Sequence, residues 1–112
     1  MTEYTLHENV RGMIEIQKDS IVSKTVLGTD RTKVVLMALD AGQELSEHTA
    51  AMPAVIHMLE GQARVTLGDD VHELGAGAWV HMSAHLRHCV QAVTPTVLLL
   101  TLFKNGNSAQ ES

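Results

Sequence analysis

Seven histidines are many for a chain of 112 residues, and they are the side chains here best suited to chemistry. Neutral imidazole binds divalent metals, and its charge changes near neutral pH. His48, His57, His72, His81, His85 and His88 fall within one stretch, and His7 lies apart. Charging all seven would reverse the sign of the net charge of −5. Cys89 follows His88 directly. Neighbours on a strand point to opposite faces, which argues against a Cys/His nucleophile pair. Glu44 and Glu47 read as surface residues, and Arg87 reads as a solvated cation.

The elements that must position these residues are short strands. Ile21 to Leu27 is rich in β-branched residues, and Lys33 to Leu39 is a near-continuous apolar run. Val55 to Leu59, Trp79 to Met82, Cys89 to Val93 and Thr96 to Phe103 are further strand signals, and Ile14 to Ile16 is a weak one. Gln62 to Leu67 alternates polar and apolar, so Ala63, Val65 and Leu67 face a core. Gly68-Asp69-Asp70 reads as a hairpin turn into Val71 to Leu74. Such spacing of turns predicts an all-β sandwich or barrel. Leu6 to Met13 is the one helix candidate, and Gly12 weakens it. The division expected is an N-terminal segment 1–20, a barrel domain 21–104 and a polar C-terminal tail 105–112.

Composition removes several classes of function. The eight Lys and Arg residues form no basic run, so nucleic acid has no electrostatic footprint. Aromatic residues make up 3%, too few for a stacking platform. No apolar run approaches the roughly 20 residues of a membrane helix. The first eight residues carry no basic stretch followed by an apolar one, and Cys89 is the single cysteine. A cytoplasmic protein without an intrachain disulfide is the expectation.

Two segments carry more. One runs from Gly42 through His48, Ala50 and Ala54 to Gly61, and the other from Gly77 through Ser83 and His85 to His88. Their joint spacing resembles the paired motifs of small single-domain cupins, of the RmlC-like, conserved-barrel type. Gly42, His48, Gly61, Gly77 and His88 fall in register. Ala50 stands where the motif has a second His, Ala54 (or Pro53, with the other gap length) where it has Glu, Ser83 where it has Pro, and His85 where it has Gly. The resemblance implies a double-stranded β-helix (jelly-roll) barrel, and it turns Ala54, Ile56 and Met58 inward and His57 outward with Val55 and Leu59. It also implies a homodimer, in which the Ile21–Leu27 strand adds to the partner's sheet.

In cupins with the full motif, three His and one Glu converge on a divalent metal inside the barrel. Here two of those four donors are alanine. The pocket expected from the resemblance is lined by His48, Ala50, Ala54, Ile56, Met58 and His88. Two readings follow. In the first, the chain binds an unidentified small molecule in an apolar pocket with histidine handles and holds at most a weak metal. In the second, it is a metal-dependent dioxygenase or isomerase with a histidine-only site for Fe, Mn, Ni or Zn. That site would use His48, His88 and a recruited His81. Trp79 reads as a rim or interface residue.

Overall fold

In the computed structural model, residues 3–104 are described. Their nine strands form two antiparallel sheets. They are β1 (Ile21–Gly28), β2 (Thr32–Leu39), β3 (Glu44–His48), β4 (Ala54–Glu60), β5 (Gln62–Leu67), β6 (Asp70–Gly75), β7 (Trp79–Met82), β8 (His88–Ala92) and β9 (Thr96–Phe103). One sheet has the order β1-β2-β9-β4-β7 and the other β3-β8-β5-β6. Sequence neighbours often lie far apart in these orders, as in a jelly roll.

The two inner faces meet in one core. Leu39, Met58, Leu98, Ala63, Val65, Val90 and Met82 are almost wholly excluded from solvent and pack together. This core is aliphatic, as the composition requires. The cleanly alternating strand β5 behaves as its pattern predicts, with Ala63 and Val65 buried and Leu67 packed against the core.

The outer face of the five-stranded sheet is also apolar, and a second cluster forms there. Leu36, Ala38 and Val97 are 0% exposed, and Ile14 covers them with Val10, Met13 and Ile16. The N-terminal segment therefore crosses the back of the sheet. Ile14–Ile16 is not a strand, contrary to expectation: it adds apolar side chains without joining a ladder. Of the helix candidate only a 3-10 turn forms, at Arg11–Met13. Leu59 of β4 packs with this cluster, so its outward side chain is covered from within the chain.

The strap is fastened by polar contacts. Arg11 Nε and Nη2 donate to the two carboxylate oxygens of Glu60 at 2.7 and 3.1 Å, and Arg11 Nη1 donates to the Ile14 carbonyl. The His7 ring donates to the Val26 carbonyl, and the Asp19 amide donates to Asp40.

The strand β3 departs from the sequence reading. Glu44 to His48 looks like a polar loop, but it pairs with β8. It is an edge strand, so one side is wet and only Leu45 reaches the core. β1 pairs with β2 of its own chain, from Ile21 opposite Leu39 to Gly28 opposite Lys33. At the β4–β5 corner Gly61 has φ +88°, and a Cβ there would overlap the Pro95 carbonyl and lie 2.8 Å from Thr96 Cα.

The Arg11 hydrogen bond holds the Glu60 carboxyl below the usual carboxylate range. A lowered folded pKa stabilises above the unfolded value of about 4.3 and is lost as pH falls through the folded value. The melting temperature of Glu60→Gln should therefore lie below that of the wild type at pH 7. The gap should close as pH falls below about 4, measured by circular dichroism across pH. A gap that persists in acid would show that the charge on Glu60 is not what fastens the strap.

Candidate functional site

The inner faces are sealed at one end and open at the other. Along β9, Leu98 is 1% exposed, whereas Leu100 and Leu102 are half-buried. Along β2, Leu39 is buried, Met37 and Val35 are half-buried, and Lys33 is exposed. On β5, Val65 is buried and Leu67 is half-buried. The opening has a simple cause. β2 and β9 each run eight residues against five in β3 and β8, so the inner face of one sheet outlasts its cover.

His88 stands at this open end. The residue is 8% exposed, and Val90 and Ala92 follow it on the same inward face. His88 Nδ1 lies 2.9 Å from the Leu86 carbonyl. A carbonyl can only accept, so Nδ1 donates the proton of this hydrogen bond. The backbone of His48 is directly opposite His88 across the β3–β8 ladder, beyond an irregularity after Leu45. Ala54 is opposite both Leu102 and Met82. Ala50 sits in the adjoining loop, its carbonyl accepting from the His85 amide. Ile56 and Met58 continue inward from Ala54, and Met58 is at the sealed end with no exposure.

An ion-pair bridge holds the rim of the second sheet. Arg87 donates to Asp69 at 3.0 Å and to Glu47 at 3.3 Å, which ties β8 to the β5–β6 turn and to β3. These hydrogen bonds and charges, Asp69 first, push the Arg87 pKa up. Arg87 is thus an engaged cation rather than a merely solvated one.

The remaining histidines do not join His88. Met82 and Val80 face the core, so their neighbour His81 points the other way and is exposed, opposite Val55 on the outer face. The expectation that His81 supplies a third ligand inside the barrel is corrected by this parity. His57 is half-buried on the same outer face, opposite Trp79. His72 is exposed on the edge strand β6, and His85 is exposed in the β7–β8 loop. Among the described residues no three His, Cys, Asp or Glu side chains form a group able to hold a metal. Counting His48, the motif positions offer two imidazoles and no carboxylate. That donor set does not fit a tightly held dication.

Sequence reasoning missed Met37, Leu100, Leu102 and Lys33 as residues of the opening. In β2 the run Val34-Val35-Leu36-Met37-Ala38-Leu39 is apolar on both faces, so no alternation reveals which side is inner. A depression of about 430 Å³ lies between the N-terminal segment and β1. It is lined by Met13, Ile14, Val22 and Lys24 among others, and no histidine borders it.

Fold and site together define a small single-domain β-barrel, open at one end, with histidine at the rim of an aliphatic interior. The model of the cupin domain matches residues 35–103, and the chain belongs to the cupin family. Solved structures agree. A cupin superfamily protein from Desulfitobacterium hafniense superposes with a TM-score of 0.84 at 19% identity, covering 90% of this chain and 95% of that one. An RmlC-like cupin from Desulfovibrio desulfuricans gives 0.79 at 26% identity, covering 89% and 97%. A salicylate 1,2-dioxygenase from Pseudoaminobacter salicylatoxidans gives 0.71 at 16% identity, covering 83% of this chain and 29% of that one. A search of curated proteins found none that matches.

One motif departure has a measurable cost. His85 replaces the motif glycine, yet the backbone there keeps φ +70°, a conformation that favours glycine. His85→Gly should stabilise the fold by about 0.5–1 kcal/mol, the strain relieved less the extra entropy lost on folding. Urea unfolding would read this directly, and a destabilised variant would show that the His85 side chain contributes more than its strain costs.

Proposed function

We propose that this cupin binds a small molecule in an apolar pocket at the open end of its barrel, with a histidine handle and at most a weakly held metal. One observation carries the reading: the interior is aliphatic from Met58 to Leu102, and His88 is the polar side chain buried at its mouth. Concave apolar sites with few convergent polar groups are the usual form of small-molecule pockets. The Nδ1–H of His88 bonds the Leu86 carbonyl, which fixes the orientation of the ring at the mouth. A metal-dependent dioxygenase or isomerase would need a third donor, and the described residues do not supply one.

The experiment is elemental analysis of untagged protein beside a variant with both donors restored. The wild type should carry far less than one metal per chain. Ala50→His with Ala54→Glu should bind Ni or Zn at least about 100-fold more tightly, because the restored pair completes a three-His, one-carboxylate set. Stoichiometric metal in the wild type would overturn the binder reading and restore the enzyme.

We further infer a homodimer formed through the uncovered part of the outer sheet face, in a cytoplasmic protein. Trp79 is 63% exposed there and Phe103 41%, and half-buried His57 and exposed His81 lie on the same face. Light scattering should give twice the chain mass for the wild type and the chain mass for Trp79→Glu. A monomeric wild type at 100 µM or so would remove the dimer.

A further inference from the structure

We propose that the ligand of the barrel is an anion, a small aliphatic carboxylate or its like, held at the rim by Lys33. This rests on the pocket reading above and adds the charge of what fills it. Lys33 is on the inner-facing side of β2, two positions beyond Val35 and four beyond Met37. It lies directly opposite Leu102, which is in turn opposite Ala54. The cation therefore stands beside the open end of the apolar interior.

Two observations support it. Arg87, another cation near the mouth, is engaged by Asp69 and Glu47. Among the described residues the ion pairs involve Arg11, Arg64 and Arg87, and Lys33 takes part in none. The loss of the motif carboxylate at Ala54 also matters. A Glu there would stand two strands from Lys33 and would repel an incoming anion. On the second sheet Glu47 and Asp69 are engaged by Arg87, whereas Asp70, opposite Leu67, is in no ion pair among the described residues. It disfavours an anionic head near β6 and so orients the ligand with its charge toward β2. The aliphatic body then lies over Leu102, Leu100 and Met37, and His88 faces it from the other sheet.

The test uses three probes with one six-carbon body: hexanoate, 1-hexanol and hexylammonium. Each is titrated into the full chain and followed by methyl shifts of Ile56, Leu100 and Leu102. Hexanoate should bind about threefold or more tighter than 1-hexanol, with hexylammonium weakest, and added salt should shrink the difference. Lys33→Met should abolish the preference for hexanoate while leaving 1-hexanol unchanged, and Lys33→Arg should keep it. Equal binding of hexanoate and 1-hexanol, or a preference that survives Lys33→Met, overturns the charge assignment and leaves the pocket standing. Absence of shifts at these methyls with all three probes overturns the pocket, and the anion with it.

Discussion

Two-sided burial of the strands β2, β9 and β4 is the constraint on which the rest depends. Their inward residues Leu39, Leu98 and Met58 and their outward residues Leu36, Ala38 and Val97 are all essentially without exposure. A small domain buries a modest share of its surface, so it cannot leave such a sheet face wet. The opposing sheet covers one side, and Ile14 with its neighbours covers the other. Each cover is shorter than what it must hide. The short strands β3 and β8 leave the inner face open at one end, and the strap leaves the outer face open around Trp79. Both candidate surfaces of the molecule are places where covering stops.

Where the sequence alternates, it could be read; where it does not, it could not. Gln62 to Leu67 shows its parity in its residue types, and the structure follows it. Val34 to Leu39 hides its parity because both sides are buried, and Lys33 was lost with it. Glu44 to His48 hides its strand because an edge strand with one inward leucine has the composition of a loop. The barrel itself was legible from joint spacing, since Gly61 sits at positive φ where a Cβ would strike the Pro95 carbonyl. The outward turn of His81 needed only the inward Met82 and Val80 beside it. That signal was present in the sequence, but a four-residue strand was too short to fix its own phase.

Backbone geometry and donor chemistry have come apart in this chain. The corner at Gly77 keeps its left-handed conformation, with φ +95°. The position of His85 keeps that conformation as well, although glycine no longer occupies it. Turns are held by the hydrogen bonds around them, such as those from the His85 amide to Ala50 and from Gly68 to Arg87. Ligands are held by single side chains, which the hydrogen bonds of the frame do not dictate. A scaffold of this kind specifies a cavity without specifying a reaction.

The end of β9 has a practical consequence. Phe103 and Lys104 donate to the carbonyls of Pro53 and Arg31, so the chain leaves its last strand beside the opening of the barrel. Anything fused after Lys104 starts its path at that doorway. A polyhistidine purification handle attached there would bring a crowd of foreign imidazoles to the mouth of the barrel.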